Sequence, residues 1–161
     1  MPNQRFLRMS IFGAEETERM LLDGMRAAGN MKPALEYVAE DLMEVIDINF
    51  GSQGHRGGGS WAKLSPYTLE RKAREGEPPI ILVATSALRD SMTLRRDPNM
   101  DLRINRNRIS LSSRLPYAQV QDEGGGPSHL PARPFAEFLK SDVDRWAKLC
   151  SRYLIDRMKL K

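Results

Sequence analysis

A glycine-rich run at residues 51–60 separates two helical patterns and sets the organisation of the chain. Five of its ten residues are glycine, so this segment can adopt backbone angles that other residues resist, at an entropic cost. Trp61 and Leu64 follow the run and are predicted to return its end to the core. Ser65 and Pro66 then suit the N-cap and the first position of a helix. The sequence therefore predicts a loop at 51–60 between two helices.

The segment before this loop carries the clearest helical pattern of the chain. From Leu35 to Asn49, apolar residues recur at steps of three and four, as on the buried side of an amphipathic helix. The helix is predicted to open near Met31-Lys32-Pro33. Four acidic residues share another face, and no histidine lies among them, so this row is predicted to face solvent or a partner rather than to form a metal or acid–base site. The row consists of Glu36, Glu40, Glu44 and Asp47.

The remainder of the chain predicts short helices, a small antiparallel sheet and a C-terminal helix. Residues 102–104 and 109–111 alternate apolar and polar side chains, as two half-buried strands joined by a tight turn at 105–107 do. Other predicted elements are helices at 66–74, around Leu88, at 115–121 and after Ser141, and strands or extended segments at 80–83, 92–94 and 130–135. The predicted fold class is α+β, with the small sheet packed against the long helix of the N-terminal half.

Length and composition predict one domain. The chain has 161 residues, of which 40% are hydrophobic and 29% charged, which suits a single globular core. Residues 1–13 carry few packing signals and are predicted to be an arm, and the α+β domain is predicted to span 14–161, beginning with a short helix at 14–28. The single cysteine, Cys150, excludes an internal disulfide, and no apolar run approaches the ~20 residues that a membrane-spanning helix needs.

No group of residues in the sequence is typical of an enzyme. His55 and His129 are the only histidines, and neither forms a pair with metal-ligand spacing. The glycine-rich run lacks the Gly-Lys-Ser/Thr that follows a strand in phosphate-binding loops. Cys150 falls on the apolar side of the last predicted helix, as a small core residue does. The prediction is a protein with no catalytic, metal-binding or cofactor-binding residues.

Arginines concentrate around the predicted sheet and suggest a second class of function. The net charge of +4 permits contact with nucleic acid or with an acidic protein but requires neither. A basic sheet could contact DNA phosphates through Arg103, Arg106 and Arg108 without reading sequence. A solvated sheet face or a salt-bridged interface between subunits is favoured, because no aromatic residues are interleaved. The arginines are Arg89, Arg95, Arg96, Arg103, Arg106, Arg108 and Arg114.

The segment at 131–135, Pro-Ala-Arg-Pro-Phe, is stiffened by its two prolines. The stiffness delivers Phe135 to a defined place, and we expect this ring to be buried against the sheet or the long helix. Arg133 is expected to direct its guanidinium onto a carboxylate or a group of carbonyl oxygens.

Four segments stand together in order and at a recognisable spacing: 61–72 (WAKLSPYTLERK), 82–92 (LVATSALRDSM), Tyr117-Ala118 followed by Gly124-Gly125, and 131–135 (PARPF). Together they resemble the phage virion morphogenesis family, the tail-completion proteins of Mu-like and related tailed phages. The resemblance covers about residues 31–140. Ser86 stands where the family often has glycine, and Val120-Gln121-Asp122 stands where it has His-Gln.

This resemblance implies a structural protein of the virion neck, assembled in the cytoplasm of the host bacterium. Family members act late in assembly, completing the tail or joining it to the filled head. Related neck proteins form rings, often sixfold, with DNA passing through the lumen. The implied partners are further copies of the chain, other neck and tail proteins and, passively, genomic DNA. Trp61, Leu64, Arg133 and Phe135 are the residues expected to serve the core or the assembly. A small DNA-binding protein remains the alternative.

Overall fold

The computed structural model describes residues 29–57, 59–126 and 129–159. The predicted arm at 1–13 and the predicted helix at 14–28 lie outside the described residues. Within the described ranges the fold is α+β, as predicted, with five α-helices, one 3-10 turn and a two-stranded antiparallel sheet. The side chains are described as far as residue 156.

Helix α1 (Lys32–Ser52) is the central element. Pro33 lies in its first turn, where a missing N–H costs no hydrogen bond. The apolar stripe is buried as predicted, with Ile46 and Phe50 almost wholly inaccessible to solvent. The helix extends two residues into the run that was predicted to be loop, because its end is set by Gln53, which adopts a left-handed conformation with φ 51°. α1 packs against two later helices, Ala87–Thr93 and Lys140–Lys159.

The rest of the glycine-rich run forms a closed loop on the end of α1. A 3-10 turn spans His55–Gly57, and the Trp61 N–H donates to Gln53 O at 3.1 Å, which joins the two ends of the loop. Trp61 is 5% exposed. Gly54 has φ +81°, and a Cβ at this position would lie 2.6 Å from the indole Nε1 of Trp61. Glycine is therefore required here by both backbone conformation and close approach.

Two short helices follow. Helix α2 (Pro66–Glu75) begins as predicted at Ser65, whose hydroxyl accepts the Thr68 N–H at 3.1 Å, and ends at Gly76 with φ 69°. Helix α3 spans Ala87–Thr93. Its N-cap is Ser86, which has φ 62° and makes no side-chain cap.

The strand predicted at 92–94 is wrong, and residues 80–83, predicted to be a buried strand or an extended segment, contain a turn at 81–82 instead. Pro78-Pro79 precede this turn, Leu82 has φ 59°, and Ile80 is exposed. Met92 belongs to the last turn of α3, where it is fully buried in the core that α1 shares. Tertiary packing on α1 outweighs the weak strand preference of this short run.

The sheet is a single hairpin of strands β1 (Met100–Ile104) and β2 (Ile109–Ser113). The pairing is antiparallel, with Leu102 opposite Leu111, which confirms the two strands and the turn predicted there. Ser113 and Ser91, both buried, share a hydrogen bond of 2.8 Å that joins β2 to α3.

Helices α4 (Ala118–Glu123) and α5 (Lys140–Lys159) complete the fold. The segment between them was predicted to be extended or an edge strand at 130–135. It has one isolated antiparallel bridge, from Leu130 to Gly125, no regular secondary structure at 131–134, and a turn that begins at Phe135. α5 begins at Lys140, one residue before the predicted cap, and buries Trp146 and Cys150 in the core. Across the described ranges, no helix combines the length and the apolar character needed to cross a bilayer.

Candidate interaction surface

Phe135 is the point where the extended segment enters the core. Its side chain is fully buried and stacks on Phe50 with ring centroids 5.3 Å apart. Phe50 in turn meets the edge of Trp61 at 5.8 Å. The amide of Asn49 donates to the carbonyl oxygens of Phe135 at 3.1 Å and of Glu137 at 2.9 Å. The predicted burial of Phe135 and of Trp61 is thus confirmed, and both rings pack on the end of α1.

Asp122 holds the same segment from the other side. Its Oδ1 accepts the N–H of Phe135 at 2.9 Å and that of Ala136 at 3.3 Å. Burial raises the pKa of Asp122, and these two N–H bonds offset part of that effect. A short carboxylate on α4 therefore satisfies backbone donors that Asn49 cannot reach.

Arg133 lies two residues before Phe135 and is 7% exposed. Its Nε and Nη2 both donate to one carbonyl oxygen, Ala62 O, at 3.3 and 3.2 Å, whereas a carboxylate or a group of carbonyl oxygens was expected. No carboxylate among the described residues pairs with it. Burial lowers the pKa of Arg133. This guanidinium is consequently a buried charge with only a neutral oxygen as partner.

A cavity of about 630 Å³ lies beside Arg133. All four segments that resemble the phage family contribute to its wall. Leu64 is half-buried here and packs against the core, while Tyr117 is partly exposed at 43%. The lining residues include Lys63, Leu64, Lys72, Leu82, Tyr117 and Arg133.

The cavity is electropositive. Its wall contains no carboxylate, and its basic residues are Lys63, Arg71, Lys72 and Arg133, with His129 beside them. Outside the wall, Glu75 pairs with Arg71, and Glu77 lies 3.4 Å from Arg71 Nη2 and 3.6 Å from Lys72 Nζ. Lys72 also donates to Pro78 O at 3.0 Å and to the carbonyl of Val83. The other two cations, Lys63 and Arg133, have no carboxylate partner in the described ranges.

A second buried charge ties the glycine-rich run to α5. Asp142 is fully buried and accepts two bonds from Arg56, one of them from Nη1 at 2.6 Å. It also accepts the Leu139 N–H at 2.9 Å and Arg145 Nη2 at 3.2 Å. Burial alone would raise the pKa of Asp142, but these hydrogen bonds and the nearby arginine charges lower it on balance. The contact between Arg56 and Asp142 therefore holds the loop at 53–57 against α5, although its glycine content alone predicts a flexible loop.

Several arginines that were expected around the sheet are ion-paired. Arg103 pairs with Asp101 at 2.6 Å on β1. Three members of the acidic row of α1, which was predicted to face solvent or a partner, pair within the chain with arginines on and just after α3. These pairs are Arg89–Asp47 at 2.6 Å, Arg95–Glu36 at 2.9 Å and Arg95–Glu40 at 2.7 Å.

Arg106 and Arg108 lie at the exposed turn of the hairpin. Neither makes an ion pair within the described ranges. The carbonyl of Arg106 accepts the Met31 N–H at 2.8 Å, which places this turn beside the start of α1. The structure thus separates the three candidate DNA contacts into one paired arginine and two unpaired ones.

The histidines and the cysteine are dispersed. His55 Nδ1 lies 2.6 Å from Ser52 O, and His129 borders the cavity. Cys150 is buried, and burial raises the pKa of its thiol. In the part of the chain that the structure describes, no group of three or more His, Cys, Asp or Glu could hold a metal ion.

Comparison of this chain with protein-family models, curated proteins and solved structures finds no match. The site therefore rests on its own geometry. Sequence reasoning missed the roles of Asn49, Lys72, Asp122 and Asp142. Asn49 carried a signal, since a polar residue inside an apolar stripe implies buried hydrogen bonds. The others depend on contacts with distant segments that no local pattern encodes.

Proposed function

We propose that this protein is a structural subunit of a tailed-phage virion, which joins or completes the head–tail neck as part of an oligomeric ring. One observation carries the proposal. The four segments that resemble the tail-completion family meet around a single cavity, although they are far apart in the chain. Direct bonds link them, including Arg133 to Ala62 and Lys72 to Val83. Segments that share one surface are what a common docking role requires.

The charge distribution supports an assembly role. The cavity carries uncompensated cations, while on α1 Glu36 and Glu40 share the single cation Arg95 and the exposed Glu44 has no ion pair within the described ranges. Unlike patches on different faces of one subunit favour head-to-tail contacts, which close into rings when the rotation permits. In this proposal the protein is not an enzyme, its partners are further copies and other neck and tail proteins, and it resides in the virion neck.

Deletion of the gene in the phage or prophage that encodes the chain tests this function. We expect filled heads and separate tails by electron microscopy, with infectious particles restored by the wild-type gene. The double variant His55→Ala/His129→Ala should restore them equally, because neither imidazole is assigned a chemical role. Normal particle yield without the protein would refute the neck role. Loss of particles with the folded, incorporated double variant would refute its non-enzymatic character.

A small DNA-binding protein is the second candidate, favoured by the unpaired arginines at the hairpin turn. We expect weak binding of the isolated protein to duplex DNA at about 150 mM salt, because two cations release few counterions. A labelled duplex titrated at several salt concentrations measures this, with Arg106→Ala/Arg108→Ala as the test variant and Arg89→Ala, which is ion-paired, as the control. Submicromolar binding that only the hairpin variant loses, with a shallower salt slope, would favour DNA binding.

A further inference from the structure

The guanidinium of Arg133 is a buried cation without a buried anion. A charge withdrawn from water is usually paired, because the desolvation penalty amounts to several kcal/mol. Ala62 O supplies one neutral acceptor to two of the guanidinium nitrogens. The third nitrogen, Nη1, has no hydrogen-bond partner among the described residues and is not fully enclosed. Arg133 itself lines the cavity.

Lys63 completes an anion site. It directly follows Ala62, the residue whose carbonyl orients Arg133, and its own side chain lines the same cavity. Arg71 and Lys72 add positive charge but are offset by Glu75 and Glu77. Two uncompensated cations in one concave wall attract a carboxylate, with which an arginine can form two parallel hydrogen bonds.

The rest of the wall indicates which anion fits. Leu64, Leu82, Leu130 and Tyr117 contribute apolar surface beside the cations. A bare phosphate chain would leave this surface unused, whereas a peptide that carries carboxylates next to aliphatic side chains would cover both parts. The chemistry of the cavity therefore suits an acidic, amphipathic peptide.

The chain contains one such sequence outside the described residues. Residues 14–22 read Ala-Glu-Glu-Thr-Glu-Arg-Met-Leu-Leu, with three glutamates followed by three apolar residues. We propose that the cavity binds this segment from a second copy of the chain. Glu15, Glu16 and Glu18 would supply the carboxylates that Arg133 and Lys63 lack.

Distance favours a second copy over the same copy. The hairpin turn lies at the start of α1, where the Met31 N–H donates to its backbone. Arg133 lies near the other end of α1, because it bonds Ala62, and the preceding residue, Trp61, packs on Phe50 of α1. The 21 residues of α1 span about 30 Å. The predicted helix at 14–28 would cover only about 16 Å between Glu18 and Gly29, at ~1.5 Å per residue. A helical segment of this length would fall short of the cavity in its own copy, which leaves the cavity of a second copy for it to occupy.

Peptide binding to the full-length chain tests the inference. The receptor carries Glu15→Gln, Glu16→Gln and Glu18→Gln, so that its own segment does not compete. The probe is a fluorescein-labelled peptide of residues 12–24, followed by fluorescence anisotropy. We expect saturable binding that weakens about tenfold or more when the three glutamates of the peptide are glutamines. Lys63→Glu in the receptor should weaken it similarly, while Lys148→Glu, another exposed lysine, should not.

Each other outcome contradicts a named part of the inference. Equal binding of the acidic and the glutamine peptide, or displacement of both by millimolar inorganic phosphate alone, would mean a general anion site. No effect of Lys63→Glu would place the peptide elsewhere. The mass of the wild-type chain at rising concentration tests the second copy: binding of the peptide by a strictly monomeric protein would refute exchange between copies. The inference does not depend on the neck role, since peptide binding can succeed in a protein that phage assembly does not need.

Discussion

Replacement of Phe135 by alanine tests whether the extended segment is part of the core. The ring is fully buried, stacks on Phe50 at 5.3 Å, and has its flanking backbone held by Asn49 and Asp122. Because these fixed partners prevent the site from collapsing, the cavity should remain open. Truncation of a phenylalanine in such a site costs about 3–5 kcal/mol. A domain of this size has roughly 5–15 kcal/mol in total, so Phe135→Ala should remove at least about a fifth of the stability.

Equilibrium urea unfolding measures this loss, with tryptophan fluorescence and far-UV circular dichroism as two probes. Trp61 reports directly, since it contacts the ring on which Phe135 stacks. Phe135→Leu should lose clearly less, and Tyr67→Ala, at a side chain 73% exposed, should stay within about 0.5 kcal/mol. A Phe135→Ala protein within about 1 kcal/mol of wild type at an unchanged m value would refute the core assignment. If that protein also failed to assemble, Phe135 would belong to an interface.

Other substitutions test the buried charges and the glycine-rich loop. Asp142→Asn should lower the free energy of unfolding by about 3 kcal/mol at pH 7. The pKa of Asp142 is lowered in the folded state. The stability that the ionised Asp142 contributes should therefore be complete above about pH 4 and decrease as the pH falls further. The pKa of Asp122 is raised, so Asp122→Asn should cost less stability at pH 7 than Asp142→Asn. Asp122→Asn should also abolish the gain in stability that the wild type shows as the pH falls. Equal dependence of stability on pH in the two variants would contradict this assignment. Gly54→Ala should cost about 1–3 kcal/mol, because it adds a Cβ against Trp61 at positive φ. Gly51 lies in α1 with open space around it, so Gly51→Ala should be neutral or stabilising by up to about 1 kcal/mol. Similar melting temperatures for Gly54→Ala and Gly51→Ala would refute the close contact between Gly54 and Trp61.

Elements with local causes could be predicted from the sequence. The buried stripe of α1 follows from a repeat of three and four, and α2 from Ser65 and Pro66 at its start and Gly76 at its end. The hairpin follows from alternation on both sides of a short polar turn. Each of these signals lies within a few residues of the structure that it determines.

Elements that depend on distant contacts could not be predicted. Residues 80–83 have the composition of a strand but lack a neighbouring strand, and their chain reverses at Leu82 instead. The Asn49–Phe135 bond joins residues 86 apart in sequence, and Arg56 finds Asp142 across the same separation. In the candidate site, the burial of Phe135 could be predicted from its prolines, whereas the cavity required the assembled fold.

The pairing of charges shows which cations of the described residues lack a carboxylate partner. Most arginines around α1 and α3 have one, so their charge stabilises the fold. Among the unpaired cations, Arg133 and Lys63 lie beside the end of α1, and Arg106 and Arg108 lie at the hairpin turn beside its start. These places are about 30 Å apart along the helix, too far for one compact ligand to engage both. Two separate anionic partners, or one partner repeated around a ring, would be needed to neutralise them. Charge reversal at Lys63 and at Arg106 should therefore impair different contacts, and their effects on assembly should be additive, as for distant sites without shared partners.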